Sequence, residues 1–209
     1  MTTLIVIAKE PLPGRAKTRL HPPLSLEQAA ELAAAAIDDT LEAMASVPAS
    51  RRVLLYAGER VPASAVGYDV IAQSEGGLDE RLAAGFDACA GPTLLIGMDT
   101  PQVRARDLAP AFGAWPDDID AWFGPALDGG FWALGMREPR GDLIRGVTMS
   151  HPQTGARQRR RLTDAGLRVG TLATLRDVDT IADADAVAAL APQTATARLI
   201  RSFRSAAVA

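Results

Sequence analysis

Leu4-Ile5-Val6-Ile7-Ala8 is an unbroken apolar, β-rich run, and Lys9-Glu10-Pro11-Leu12-Pro13-Gly14-Arg15-Ala16-Lys17-Thr18-Arg19-Leu20 follows it directly. A segment apolar at every position suits a central strand covered on both faces. It is far too short for a signal-peptide core or a membrane span. Ser25 and Gln28 then have capping-box spacing. Leu26, Ala30, Ala33, Ile37, Leu41 and Met44 recur at helical intervals. That pattern predicts a helix of about five to six turns ending before Pro48. Strand, loop and helix in this order open an α/β domain.

The rest of the chain keeps the alternation. Strands are predicted at Val53–Ala57, Asp69–Gln73 and Thr93–Gly97, with a short helix over Asp79–Cys89 and another over Arg104–Phe112. Ala121–Phe123 and Phe131–Leu134 flank the turn Asp128-Gly129-Gly130. Thr154–Ala165 reads as a helix, Leu167–Thr171 as a late strand and Ala182–Leu190 as a last helix. From Ala191 onward the tail is weakly patterned. Strands alternating with helices predict a mainly parallel sheet. The chain has 209 residues, 48% of them hydrophobic, which suits one domain better than two.

A formal net charge of −3 gives no global attraction to nucleic acid or to an anionic membrane. Cys89 is the only cysteine, so a disulfide framework and a multi-thiolate zinc site are excluded. With no export or membrane signal, the expected location is cytoplasmic. The cluster Arg157, Arg159, Arg160 and Arg161 lacks neighbouring aromatics for base stacking. It reads as a helix face with one or two phosphate contacts. His21 and His151 read as structural or solvent-facing. Cys89 reads as a small buried apolar residue on an alanine-rich helix. Trp115, Trp122 and Trp132 read as core, with Trp132 the best exception.

In open α/β sheets ligands bind beyond the carboxyl ends of the strands. Three features stand at such ends. The first loop places Lys9, Arg15, Lys17 and Arg19 beside Gly14, which allows close backbone approach. Backbone donors and cations together suit a polyphosphate. Lys17-Thr18 is not a P-loop, because Pro11 and Ala16 stand where that motif needs glycine. The second feature, Gly97-Met98-Asp99-Thr100-Pro101, puts a carboxylate at a strand end, either as a ligand for Mg²⁺ or Mn²⁺ or as a helix cap. The third, Asp128-Gly129-Gly130-Phe131-Trp132, is a hairpin turn or a loop packed against a substrate.

These pieces, in order, resemble the small bacterial glycosyltransferase-A-type family often left as a domain of unknown function, some members of which are described as arsenosugar-biosynthesis glycosyltransferases. The carrying residues are Lys9, Pro11, Pro13, Gly14, Lys17, Thr18, Arg19 and Leu20, then Gln73 through Arg81. Gly97, Asp99 and Pro101 follow, then Asp128 to Gly130, and finally Asp177-Val178-Asp179-Thr180 with Asp183. The chain is also similar to guanylyl-, cytidylyl- and molybdopterin-type nucleotidyltransferases.

The resemblance implies a GT-A, nucleotide-diphospho-sugar transferase-like fold: one domain over residues 1–209, with a mixed, mainly parallel sheet between helices. It implies a nucleotide site using Ala8, Lys9, Pro13, Gly14, Arg15, Lys17, Arg19, Gln73, Arg81, Gly97, Gly129 and Gly130. Lys17 would contact phosphate, Asp99 and Asp179 would hold Mg²⁺ or Mn²⁺, and Asp128 would line the acceptor side. Lys17, Asp99 and Asp128 form the implied catalytic set. Two departures stand out. Asp79 occupies a position where the family pattern has glycine, and Met149-Ser150-His151 lacks a tryptophan before the serine. The favoured expectation is glycosyl transfer from a nucleotide sugar to a small-molecule acceptor. The alternatives are nucleotidyl transfer from a nucleoside triphosphate to a phosphate or phosphonate, with pyrophosphate leaving, and a non-catalytic nucleotide-binding module.

Overall fold

A computed structural model describes residues 1–206. The first apolar run forms strand β1, Thr3–Lys9, buried on both faces up to Ala8. Leu4, Val6 and Ala8 enter one apolar cluster, while Ile5 and Ile7 enter another on the opposite face. The alternation explains why every residue in the run is apolar: each face of the strand has its own core.

The other strands are β2 Arg51–Ala57, β3 Asp69–Ala72, β4 Thr93–Gly97, β5 Ala121–Pro125, β6 Phe131–Met136 and β7 Val169–Thr171. They form one seven-stranded sheet in the order β3-β2-β1-β4-β6-β5-β7. All pairs are parallel except β6, which runs antiparallel to β4 and β5. The mixed, mainly parallel sheet expected from the sequence is therefore present.

Helix α1, Leu26–Ala45, starts at the capping box. Ser25 Oγ accepts from the Gln28 N–H, and the Ser25 N–H donates to Gln28 Oε1. Ala33, Ile37, Leu41 and Met44 pack on the sheet together with Leu108 of helix α3, Ala105–Phe112. The opposite face of the sheet is covered by Leu82 and Phe86 of helix α2, Leu78–Asp87, and by Leu162 of helix α4, Thr154–Asp164. Cys89 lies past the end of α2 and is only half-buried, a correction to its expected place inside a helix.

The tail differs most from expectation. Helix α5, Ile181–Leu190, is followed by a further helix, α6, Ala195–Ala206; residues 207–209 of the tail lie outside the described residues. Ala197 and Ile200 of α6 join Val187 of α5 and Leu32 of α1 in a third apolar cluster. Asp39 of α1 accepts from the Ala195 and Thr196 N–H groups at 2.8 Å each, satisfying orphan donors at the start of α6. The missing pattern was long-range. The α6 face is apolar only every third or fourth residue, between Arg198, Arg201 and Arg204, and one of its caps sits 156 positions upstream.

Candidate functional site

The parallel register aligns the carboxyl ends of the central strands. Ile7 of β1 lies opposite Gly97 of β4, and Ala8 opposite Tyr56 of β2. The loops after β1 and β4 therefore leave the sheet on the same edge. Between them opens a cleft of about 760 Å³.

The first loop turns tightly. The Leu12 carbonyl accepts from the Arg15 and Ala16 N–H groups, and Gly14 supplies a φ of 73° that L side chains rarely adopt. Gly14 thus serves the turn rather than a ligand's approach. Lys17 also takes a left-handed backbone, φ 50° and ψ 36°. Few non-glycine residues do so, and then only where surrounding contacts over-determine it. Here the side chain is the reason. Lys17 points inward, 6% exposed, and its Nζ is ion-paired with Asp99 and lies 3.6 Å from Asp179. Arg19 reaches Asp179 from the solvent side at 3.2 Å.

Asp179 is brought to this point by backbone. The Val178 N–H donates to the Asp99 carbonyl at 2.9 Å, and the Gln102 amide donates to the Arg176 carbonyl at 2.7 Å. The segment from Leu175 thus lies along the turn after β4, with Asp177 and Asp179 flanking Val178. Asp183, by contrast, is structural. It accepts from the Thr180 N–H at 3.0 Å and from Arg176 at 2.8 Å, capping α5.

Electrostatics at this cluster run in two directions. Burial alone would lower the Lys17 ammonium, but the Asp99 carboxylate, with Asp179 and Asp177 behind it, raises it above the usual lysine value. Burial, and after it the Asp99 and Asp128 carboxylates, push the Asp177 carboxyl up to about 7, with Lys17 opposing. Asp177 Oδ1 is buried without a hydrogen-bond partner. The sequence leaves open whether Asp179 or Asp177 completes the metal site, and nothing local marks Asp177 as the buried member of the pair.

The opposite wall is the β5–β6 hairpin and the segment before α4. Asp128 Oδ1 accepts from the Gly130 N–H at 2.8 Å, so the turn is a hairpin and also faces the cleft. Gly129, at φ 89°, packs so closely that an added Cβ would stand 2.0 Å from the Pro152 carbonyl oxygen. Trp132 is 2% exposed, and its Nε1 donates to the Ala173 carbonyl. It is core and wall at once. His151 lines this wall, with Nδ1 accepting from the Gln153 N–H. His21 is held away from the cleft against the Leu24 carbonyl.

Of the residues singled out in the sequence, Ala8, Lys9, Lys17, Arg19, Gln73, Arg81, Gly97, Asp99, Asp128, Gly130 and Asp179 line the cleft. Pro13, Gly14, Arg15 and Gly129 do not. Gln73 faces it with its amide already committed, donating to the Ala8 carbonyl at 2.8 Å and the Leu55 carbonyl at 3.1 Å. Asp79 turns elsewhere and accepts from the Gly146 N–H at 2.8 Å, tying α2 to the segment that leads to Met149. The arginine cluster lies on α4 outside the cleft. Arg157 donates to Gln153, Arg159 to Thr171, and Arg160 faces Asp164, and none of the four arginines lines the cleft.

The donor set fits a hard divalent cation. Asp99 and Asp179 are carboxylates aimed at one point, and Asp177 adds a buried oxygen without a partner. Among the described residues no group of three or more His, Cys, Asp or Glu is arranged as a metal cage. An Mg²⁺ site does not require such a cage, since one or two carboxylates can be completed by substrate phosphates and water. Among the described residues no helix is long and apolar enough to cross a membrane.

Comparison with known proteins agrees with this architecture. The model of the bacterial family described as "Uncharacterized protein conserved in bacteria (DUF2064)" matches residues 34–151, and the chain belongs to that family. No curated protein matches it. Among solved structures, a protein from Desulfovibrio desulfuricans G20, provisionally described as a nucleotide-diphospho-sugar transferase, superposes with a TM-score of 0.85 at 23% identity, covering 98% of this chain and 95% of that one. CMP:2-keto-3-deoxy-manno-octonic acid synthetase complexed with CTP gives 0.55 at 17% identity, covering 92% and 98%. Glucosyl-3-phosphoglycerate synthase from Mycobacterium tuberculosis, in complex with Mn²⁺, UDP and glucosyl-3-phosphoglycerate, gives 0.51 at 12% identity, covering 84% and 70%. The chain has the nucleotide-diphospho-sugar transferase fold, shared by glycosyl- and nucleotidyltransferases.

Proposed function

We propose that this member of the family is a metal-dependent glycosyltransferase that moves a sugar from a nucleotide-sugar donor to an uncharged small-molecule acceptor. The observation that carries the reading is the Lys17–Asp99–Asp179 cluster at the carboxyl edge of a transferase-type sheet. Asp99 and Asp179 would hold the metal, and Lys17 and Arg19 would meet the diphosphate. Mg²⁺ or Mn²⁺ bound there would neutralise the charge developing on the departing nucleoside diphosphate. Lys17 adds positive charge at the same oxygens, in a setting largely shielded from water. The Ala8–Lys9 strand end, braced by Gln73, receives the nucleoside. Asp128, on the hairpin wall, orients the acceptor hydroxyl that attacks the anomeric carbon.

Charge favours this over nucleotidyl transfer. The cleft is lined by five carboxylates (Asp99, Asp128, Asp177, Asp179 and Asp183) against four cations (Lys9, Lys17, Arg19 and Arg81). Arg15, which would help to hold a triphosphate, lies outside. Among the described residues the hairpin wall brings no lysine or arginine to the cleft, so a phosphate or phosphonate acceptor would face Asp128 with neither cation opposite it. A cleft with one carboxylate more than its cations suits a diphosphate that arrives with its metal. A non-catalytic binding module would have no need of an acceptor wall with Asp128 facing the donor.

The test is thermal stability against nucleotide sugars and nucleoside triphosphates, with and without Mn²⁺. A ligand that binds only the native state raises the Tm by mass action. A metal-dependent rise with one nucleotide sugar, larger than with any triphosphate, is expected. A rise confined to a triphosphate would move the assignment to nucleotidyl transfer. No rise with either would remove the nucleotide site.

A further inference from the structure

Lys17 does more than stand near phosphates. Its Nζ occupies the point on which Asp99 and Asp179 converge, and its side chain is 6% exposed while those of the two acids are 44% and 36% exposed. Its backbone is left-handed, the conformation that directs the side chain inward from the loop. A buried ammonium cannot leave two carboxylates for apolar surroundings, because an unpaired buried charge is strongly disfavoured. It leaves at least cost where another anion receives it. A free divalent cation brings none.

We infer that Lys17 is an internal stand-in cation whose displacement couples metal binding to nucleotide binding, so that the site accepts Mg²⁺ or Mn²⁺ only together with a nucleoside diphosphate group. The diphosphate supplies both missing parts. Its oxygens complete the coordination that two carboxylates leave open, and they receive the Lys17 ammonium as the metal takes its place between Asp99 and Asp179. The exchange conserves pairing: the contacts of the ammonium with Asp99 and Asp179 pass to the metal, contacts with phosphate oxygens replace them, and no charge is left bare. Coupling of this kind is reciprocal, so metal and nucleotide each raise the other's affinity by the same factor. One consequence is that free metal is not stored in the empty site, and nucleotide without metal meets a lysine still tied to acid.

The inference rests on reading the cleft as a nucleotide site. The test separates the two. Mn²⁺ binding is followed by loss of the free-ion electron paramagnetic resonance signal, for the wild type and for Lys17→Met, alone and with UDP, GDP, CDP and ADP in turn. Circular dichroism checks that the variant is folded. The expected result is weak Mn²⁺ binding by the wild type alone and at least about tenfold tighter binding with one diphosphate, on the scale of ordinary coupling free energies. Lys17→Met should bind Mn²⁺ alone at least about tenfold more tightly than the wild type, with its diphosphate enhancement largely lost. Tight Mn²⁺ binding by the wild type without nucleotide would overturn the stand-in role while leaving the nucleotide site intact. A folded Lys17→Met with no gain would do the same. If neither protein binds Mn²⁺ under any condition, the metal–nucleotide reading itself fails, and this inference with it. Should Lys17→Met not fold, Lys17→Gln takes its place in the same comparison, with the same two outcomes deciding.

Discussion

The two walls of the cleft are built on different principles. The wall from β1 and β4 is a cluster of charges: Lys17 buried among Asp99, Asp177 and Asp179, with Arg19 at the rim. The hairpin wall is a packing joint. Gly129 and Gly155 let two backbones meet at distances no side chain would permit, and Trp132 fills the space behind. Its only charged group facing the cleft is Asp128. The first wall can bind and release a charged ligand by exchanging partners. The second can only present a shape, so changes there should alter which acceptor is used rather than whether a nucleotide binds.

The contrast is open to attack at several points. The largest effect is expected for Asp99→Asn. It should lower transfer by about a hundred- to a thousandfold, the scale of removing one preorganised charge-stabilising group, and abolish metal-dependent stabilisation by nucleotide. Chelation of the metal should mimic it in the wild type. Retained metal-dependent binding in Asp99→Asn, read by calorimetry, would place the metal elsewhere.

Gly129→Ala comes next. The new methyl would meet the Pro152 carbonyl in a backbone conformation that disfavours it. A loss of about 3 kcal/mol in stability is expected, together with a raised KM for acceptor and nearly unchanged nucleotide affinity. Equal damage to both affinities would erase the distinction between the walls.

Asp177→Asn probes the charge cluster by pH. A carboxyl raised from its ordinary value to about 7 is protonated more readily in the folded protein than in the unfolded chain. Its neutral form therefore favours the fold at low pH, and that contribution is lost as pH rises from about 4 to about 7. Metal-free Asp177→Asn should be more stable than wild type at pH 8, by up to about 4 kcal/mol or on the order of 10 °C in Tm, with the advantage vanishing near pH 4. An unchanged pH profile would mean that Asp177 is solvated. The smallest effect is expected for Arg157→Gln with Arg160→Gln. Both guanidinium groups lie on α4 outside the cleft, so nucleotide affinity should stay within about 0.5 kcal/mol of wild type. A larger loss would bring α4 into the site.

The sequence marks the charged wall well, because its parts are local. A buried strand ends at Lys9, another at Gly97, and the parallel register then forces Lys17 and Asp99 together. What it does not carry is which members of the first loop face inward. Gly14 and Arg15 stand in the same loop as Lys17, yet they lie outside the cleft while Lys17, on a left-handed backbone, is buried against the acids. Asp177 and Asp179 were hard to rank for a related reason. Their placement depends on Val178 bonding to Asp99 across 79 positions of chain, and alternate residues of an extended segment face opposite ways. The residues around Asp128 fit a hairpin turn and a substrate-facing loop equally, because whether the turn faces a cleft depends on Pro152 and Gly155, farther along the chain. Helix α6 was missed because its partners, Asp39 and Leu32, belong to α1.

The central claim is that Asp99 and Asp179 hold a metal together with a nucleotide diphosphate. Anomalous diffraction at the manganese edge, from crystals soaked with Mn²⁺ and the diphosphate that most raises Tm, tests it most directly. The account predicts one strong peak between the two carboxylates, at bonding distance to both and to a phosphate oxygen, with Lys17 moved onto the phosphates. A peak elsewhere in the cleft, or ordered diphosphate with Lys17 still on Asp99, would contradict it.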